Sequence, residues 1–538
     1  MSILAYLSNA SRSSATLIHI LQTLSVFLFL CLLGLLESNV VFNEVTKFTT
    51  AMYHTNPQWV PDLFPQGPGS NQPYRLFETL ITPLLTTYGF LVTSVIGRLI
   101  CYFLYACAFV LIATRLSLKA IFLLPITWML YHSPSLVAGE DLFKFFEPKA
   151  ISYGLVLLAL GHLMKRQRSL SFLIFLLGIA ASFHILVGLY GAFTVTVLIF
   201  VQRNSCQLVI DNYFKSIAIF LISTFYAWWT IAGRFLTADS TQQHHSGFST
   251  SYLSVFYRNP HHNDPGFWEP GWWWITILFS GILLVSTEYN RRRQKRESIE
   301  INLARSTLFW FALISMLPFS LGIIISLYDD QGFILQYYPF RFGDVILPLC
   351  SLFLVATVIQ SLPGLRTSSV VTMSVWLISF LLVIYQLPRV PQQLREVVRF
   401  PGEAQKISGA WLEICSWIGQ NTPESALFVT PPDTSITFPW LARRRMLVSF
   451  KQYNLSGGLQ EWAIRLSDIA GKPPPWEYRG FSLMHWMGKR YRNLHTDAAD
   501  NLMTKYQANY FLTVADHRLN LPVIYSNEQY LLYVLPDK

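Results

Sequence analysis

The chain has 538 residues, of which 52% are hydrophobic, 15% aromatic and 13% charged, with a formal net charge of +10 and a mean hydropathy of +0.37. Soluble domains carry roughly 25% charged residues, so this composition excludes an ordinary soluble protein and predicts a surface that largely meets lipid. The basic excess does not point to nucleic acid. Much of it sits in short clusters between apolar runs, Lys165-Arg166-Gln167-Arg168 and Arg291-Arg292-Arg293-Gln294-Lys295-Arg296, as expected of cytoplasmic loops.

In chain order, the apolar stretch 15–36 is long enough to cross a bilayer and no small-residue cleavage site follows it, so it reads as a signal anchor. Further spans are predicted at 76–97, 99–114, 150–164, 213–231, 271–288, 304–327, 343–362 and 370–388. The run 116–131 is short. The stretch 169–201 is too long for one crossing and tight for two. A helical hairpin turning near Ser182-Phe183-His184 would return both basic ends, Arg168 and Arg203, to one side. The expected fold is a polytopic α-helical membrane protein of about 10–12 spans. With the basic loops taken as cytoplasmic, 232–270, 328–342 and everything after 389 fall on the outer side. Arg98 and Arg115 bracket a single predicted span, so one of them is expected to face the protein interior or a partial helix.

The composition changes near 389. A polar linker, 389–403, leads to an amphipathic helix at 406–420 that Asn421-Thr422-Pro423 stops. Strands are predicted at 426–430, 446–450 and 510–514, with a terminal hairpin of 522–525 and 530–535. Helices near 458–470, 481–494 and 497–507 alternate with them. This gives a transmembrane domain, 1–388, followed by a soluble α/β domain, 389–538. The six cysteines show no CxxC pattern and no even set in the soluble part, which indicates neither a disulfide framework nor a zinc site.

No nucleotide-binding, serine-hydrolase or metalloprotease motif occurs. The chemistry-bearing residues lie instead in outer loops or at membrane depth. The loop after the first span holds Glu44, His54 and Asp62, and a carboxylate there is placed to take a proton from an acceptor hydroxyl. Between two apolar runs, Glu140, Asp141, Lys144, Glu147 and Lys149 form a charged segment able to bind a metal, a phosphate or a second substrate, or to cap an interfacial helix. His184 stands in an apolar context, where an ionisable group faces a cavity or a partner more often than lipid. Arg341, beside Tyr337 and Tyr338 at the start of a span, has the fork geometry that suits phosphate; its other reading is an interfacial anchor. The pairs His244-His245 and His261-His262 lack ligand spacing, so no metal site is assigned and a divalent cofactor stays open.

An acidic outer loop after the first span, a second at 139–149, paired hydrophobic segments with His184 at their turn and an outer α/β domain stand together. This arrangement resembles the GT-C glycosyltransferases. The segments Phe146-Glu147-Pro148-Lys149-Ala150 and Gly178-Ile179-Ala180-Ala181-Ser182-Phe183-His184 are similar to bacterial, including cyanobacterial, members at the edge of that superfamily. So are Trp411 and Trp417 followed by Thr422-Pro423 and Leu427-Phe428-Val429. The resemblance implies transfer of a sugar from a polyprenyl-phosphate donor to a glycan, lipid or protein acceptor on the non-cytoplasmic face. It further implies a bacterial inner membrane location, with the C-terminal domain on the periplasmic side. By position Asp62 would be the catalytic carboxylate, with Arg341 and Lys144 or Lys149 on the lipid phosphate. Many members carry two neighbouring acids in that loop, whereas here Asp62 stands alone beside Trp59. The alternatives are a non-catalytic membrane assembly protein, or a transporter or flippase of a lipid-linked substrate. Transporters commonly show internal repeats, and the sequence shows none.

Overall fold

The computed structural model describes residues 3–35, 42–61, 63, 74–133, 135–209, 213–236, 248–293, 297–362, 369–386, 407–451 and 458–535. Asp62, His244-His245 and the linker 389–403 lie outside the described residues.

The first helix, α1 (Ile3–Leu30), runs into a π-helical turn at Cys31–Leu35, and α2 (Phe42–Thr55) follows. The two spans predicted at 76–97 and 99–114 are one helix, α3 (Arg75–Arg115), whose interruption lies at Gly89 and not at Arg98. Gly89 adopts φ 76°, ψ −177°, a conformation that residues with a Cβ rarely adopt. Arg98 looked like a helix end because an unpaired charge does not belong at membrane depth. The fold removes that objection by pairing it with Glu44 of α2 inside the protein.

The short run at 116–131 is a single 3-10 turn leading into α4 (Leu123–His132), and α5 (Pro148–Leu163) follows the charged loop. The stretch 169–201 forms the predicted hairpin, α6 (Leu170–Phe183) and α7 (Ile185–Val201), turning at His184 in extended conformation. A Cβ at Gly188 would lie 2.3 Å from the Ala181 backbone, so only glycine lets the two helices approach this closely. At the far end Arg168 Nη2 donates to Gln202 Oε1 at 2.7 Å. Short parallel strands β1 (Gln167–Ser169) and β2 (Gln207–Val209) pair there as well. The two basic ends therefore share one side of the bundle.

Next, α8 (Tyr213–Ser223) and α9 (Phe225–Leu236) are separated by a bend of 54°. Long helices follow at Pro270–Arg293, Ile299–Ile325 and Arg341–Ser361, then Ser369–Gln386. Among the described residues five helices are long and apolar enough to cross a membrane, or six if the bent pair counts as one. Four further apolar helices have 10–17 residues, below the roughly 20 that a crossing helix needs. The chain is thus a polytopic, integral membrane protein. The expected 10–12 crossings counted each short helix as a span, and helix length alone supports fewer.

The C-terminal region holds a five-stranded sheet in the order β4 (Arg445–Met446), β3 (Leu427–Val429), β5 (Tyr510–Val514), β7 (Tyr530–Val534), β6 (Val523–Ser526). Its first three strands are parallel and its last three antiparallel. Helices Gly409–Asn421, Gly458–Ala470, Gly480–Tyr491 and Thr496–Tyr506 lie close to their predicted bounds. This core also takes in Leu253 and Tyr257 from the loop before the Pro270–Arg293 helix. Conversely, Ile436 and Trp440 join the core of the helical bundle. The two regions interlock, and the candidate site lies where they meet.

Candidate functional site

The loop between α4 and α5 is held down from below. Asp344 Oδ1 accepts hydrogen bonds from the backbone N–H groups of Leu136, Val137 and Ala138 at 3.0, 2.7 and 3.1 Å. All three bonds fall on Oδ1, so Asp344 anchors the loop, while its Oδ2 has no hydrogen-bond partner among the described residues and Arg341 turns to another carboxylate. That carboxylate is Glu140, 1% exposed. Its Oε1 lies 2.7 Å from Lys149 Nζ and its Oε2 lies 2.9 Å from Arg341 Nε. Arg341 Nε is buried and has no hydrogen bond of acceptable geometry despite that distance, so the contact with Glu140 is one of charge. The Arg341 guanidinium also stacks over the Tyr338 ring, 4.4 Å from its centroid.

Glu147 lies 3.8 Å from Lys149 and accepts a hydrogen bond from Asn43 Nδ2 at 3.1 Å. Of the predicted site residues, Glu140, Glu147, Lys149 and Arg341 therefore converge. His184 is their neighbour. Its Nδ1 accepts from the Val187 N–H at 3.3 Å, capping α7, and its ring stacks on Tyr74 at 5.6 Å. With Nδ1 accepting, the hydrogen of a neutral ring sits on Nε2. Asp141 and Lys144 stay apart from this group. The Asp141 carboxylate caps the Phe143 and Lys144 N–H groups and pairs with the Lys144 ammonium at 3.1 Å.

Burial acts most strongly against ionisation of Glu140, but Arg341 and then Lys149 overcome it and hold the carboxyl below its usual range. The C-terminal domain adds Lys451, which burial, then Arg258 and Arg341, push down to about 8. Burial, followed by Lys451, Arg341 and Arg258, holds His261 at about 3. His262 is also held well below its ordinary value, by burial first and Arg341 next, while its Nδ1 lies 2.5 Å from the Ala138 carbonyl. Four cations, Lys149, Arg258, Arg341 and Lys451, thus influence one another across a space that holds Glu140 and Glu147. Asp344 is coupled to Glu140 as well, so among the described residues these four cations face three carboxylates. Among the described residues no group of three or more His, Cys, Asp or Glu side chains is placed to hold a metal ion.

The first loop reaches the same region through aromatic packing. Trp59 stacks on Phe90, which meets Phe48, and Phe48 in turn contacts Phe146 of the charged loop. Val60 and Leu63, on either side of Pro61 and Asp62, are buried. On its other face Phe90 stacks against Trp440 of the C-terminal domain at 4.7 Å and 5°. Glu44, a candidate base by sequence, is committed elsewhere. It accepts from Arg98 Nε and Nη2 at 3.0 and 2.7 Å, from Ser94 at 2.9 Å and from the Phe146 N–H at 2.6 Å. His54 is bonded to Glu78 at 2.9 Å.

Sequence reasoning missed Lys451 and Arg258 as site residues and read His261-His262 only as a weak metal motif. Nothing local marks the two cations. They arrive because the C-terminal domain folds back over the helix ends, where Arg258 Nη2 donates to the Lys451 carbonyl at 3.0 Å and Arg479 pairs with Asp264.

Residues 409–469 match a family model described as a domain of unknown function, DUF6798. None of the curated proteins matches the chain. Crystal structures of the Archaeoglobus fulgidus oligosaccharyltransferase, in the apo form and tethered with an acceptor peptide, align at 11% identity with a TM-score of 0.44, covering 92% of this chain and 69% of theirs. The archaeal oligosaccharyltransferase AglB from the same organism, in complex with an inhibitory peptide and a dolichol-phosphate, aligns at 11% identity with a TM-score of 0.42 over the same shares, 92% and 69%. A likeness at this level decides neither fold nor chemistry, and the site has to be judged on its own residues.

Proposed function

We propose that the chain is a glycosyltransferase that moves a sugar from a polyprenyl-phosphate donor to a glycan, lipid or protein acceptor where the helix ends meet the C-terminal domain. The observation that carries this reading is the buried group around Glu140, in which Arg341, Lys149, Lys451 and Arg258 outnumber the carboxylates among the described residues. Cations gathered in a partly desolvated space suit a phosphate, and the planar guanidinium of Arg341 suits it best. In such a transfer the acceptor oxygen bonds to the anomeric carbon as the bond from that carbon to the lipid phosphate breaks. The phosphate leaves with the bonding electron pair. Arg341 and Lys149 would stabilise the charge growing on that leaving group more than the ground state, which lowers the barrier. Asp62 would take the acceptor proton. The donor would enter from lipid on the outer face of a bacterial inner membrane, with the C-terminal domain selecting the acceptor from the periplasmic side.

One observation favours a second reading. Glu140 already neutralises part of the charge on Arg341 and Lys149, as it would in a non-catalytic assembly protein where the group only holds a loop in place. Turnover of the purified chain with a panel of polyprenyl-phosphate sugars separates the two. The transferase reading expects sugar release that Asp62→Asn abolishes while the thermal unfolding midpoint is kept. Release unaffected by Asp62→Asn would remove that residue from the mechanism, and no release across the panel would favour the assembly role.

A further inference from the structure

A second feature lies at the far end of α5, a helix of 16 residues whose first turn carries Lys149 of the Glu140 group. There α3 and α5 run side by side in the same direction. A Cβ at Gly154 would lie 3.1 Å from the Leu104 Cβ, and one at Gly161 would lie 3.4 Å from the Leu111 Cβ. The step from Leu104 to Leu111 on one helix matches the step from Gly154 to Gly161 on the other, so the pairing keeps one register. A further turn along each brings Arg115, the last residue of α3, beside Lys165, just past the end of α5. The electrostatics agree, because Arg115 acts on Lys165, and both act on His162 together with Arg168. Arg168 is spent on the Lys165 carbonyl and on Gln202. Arg115 and Lys165 are each partly exposed, and among the described residues neither forms an ion pair. Glu300 is the carboxylate that acts on Arg115, without pairing with it, and none acts on Lys165. His162 adds a donor. Its Nε2 accepts from the Ser169 N–H at 3.0 Å, so the ring hydrogen sits on Nδ1, which has no partner among the described residues.

Two like charges held side by side repel, and partial burial weakens the screening that water would supply. The group offers positive charge and hydrogen-bond donors, so its complement is an anion whose oxygens accept. The borders of the patch say where that anion comes from. The exposed ring of Phe172 lies 4.9 Å from the His162 ring, and Phe200 and Val201, beside Gln202, are exposed as well. Apolar side chains of this kind meet acyl chains in a membrane. α3 is among the helices long and apolar enough to cross, so cations at its end stand at headgroup level. We propose that Arg115 and Lys165 hold the phosphate of an anionic membrane lipid whose acyl chains lie against Phe172. The site is independent of the transferase reading. Phosphatidylglycerol meets it with a net negative charge. Phosphatidylcholine carries a cation next to its phosphate, which Arg115 and Lys165 repel.

The test uses the full chain in detergent, incubated with mixed micelles of phosphatidylglycerol or phosphatidylcholine, with bound lipids counted by native mass spectrometry. The natural chain should retain phosphatidylglycerol about tenfold above phosphatidylcholine. The double variant Arg115→Gln/Lys165→Gln should retain one phosphatidylglycerol fewer, with its phosphatidylcholine count unchanged. Lys165→Gln alone, at a partly exposed position beyond the helix end, should move the same way and decides the matter if the double variant fails to fold. Arg291→Gln removes an exposed arginine already paired with Glu288 and should count as the natural chain does. Excess inorganic phosphate should not displace the lipid. Equal retention of the two lipids by the natural chain would overturn the proposal. So would a phosphatidylglycerol count that the folded variants at Arg115 and Lys165 leave unchanged. An equal loss in Arg291→Gln would show attraction by overall positive charge, and displacement by excess inorganic phosphate would show a site for free phosphate; either result overturns it.

Discussion

Arg341 Nε lies 2.9 Å from Glu140 Oε2, although one residue opens a membrane-spanning helix and the other sits in a loop between two much earlier helices. Lys149 approaches the opposite oxygen of the same carboxylate at 2.7 Å. Glu140 is therefore the counter-charge around which the cations assemble, and an arriving phosphate competes with it. Glu140→Gln removes the competitor while keeping the shape. A polyprenyl phosphodiester should bind the variant about tenfold tighter, ~1.4 kcal/mol, while the unfolding midpoint falls because two buried cations lose their partner. A purely structural group predicts the lower midpoint with no gain in affinity. Titrating both proteins with the same ligand distinguishes them.

Lys451 gives the site a pH dependence of definite sign. Burial first, then Arg258 and Arg341, bring its pKa to about 8, so it loses its charge as pH rises through 8. The phosphodiester ligand does not titrate there, and affinity should fall across that interval. His261, at about 3, and His262, well below its ordinary value, stay neutral, so neither adds a step between pH 5 and 7. Stability moves the other way. In the unfolded chain a lysine keeps its proton up to about pH 10.4, so between pH 8 and that value the unfolded state binds more protons and this group makes stability rise with pH. Lys451→Met should abolish the step in binding near pH 8, which isothermal titration at several pH values would detect.

Glu44 and Arg98 are 0% and 1% exposed and are joined by two hydrogen bonds. Breaking one side of a buried pair costs about 3–5 kcal/mol. Arg98→Met should therefore lower the thermal midpoint severely, because Glu44 would remain charged and buried. The double variant Glu44→Leu/Arg98→Met should recover part of the loss, though the Phe146 N–H then loses its acceptor. Thermal unfolding in one detergent, followed for both variants, checks the order.

Trp440 is 8% exposed and stacks on Phe90, which in turn stacks on Trp59. Truncating a buried aromatic costs about 3–5 kcal/mol when the site cannot collapse. Trp440→Ala should therefore loosen the C-terminal domain from the first loop. Hydrogen exchange at Gln58, Trp59 and Val60 should rise while exchange in the β5–β7 pair stays unchanged. Equal acceleration in both places would mean that the whole domain had unfolded.

Much of this architecture could be read from local chemistry. The hairpin at His184 was legible because an imidazole and two glycines interrupt an otherwise apolar run. The C-terminal strands followed from short β runs between turn residues, down to the bounds of Tyr510–Val514, although the strand expected at 446–450 is only Arg445–Met446. The break in α3 was misplaced because a charge marks a helix end only when nothing neutralises it, and Glu44 comes from another helix. The charged loop at 139–149 and Arg341 were legible because ionisable residues are scarce in this chain. Which of them meet was not. Lys144 follows Asp141 by three residues and stays with it, whereas Lys149 and Arg341 turn to Glu140. Lys451 and Arg258 were invisible because no spacing in the sequence records how one domain folds over another.

The central claim is that the Glu140 group is a phosphate site, and equilibrium binding of a polyprenyl phosphodiester to the full chain tests it most directly. The account predicts saturable binding that weakens at least about tenfold in Lys149→Ala and in Arg341→Ala. The control Lys505→Ala, which removes a lysine paired with Asp468 on the C-terminal domain, should bind as the natural chain does. Binding that is absent, or that Lys149→Ala and Arg341→Ala leave unchanged in folded protein, would contradict it.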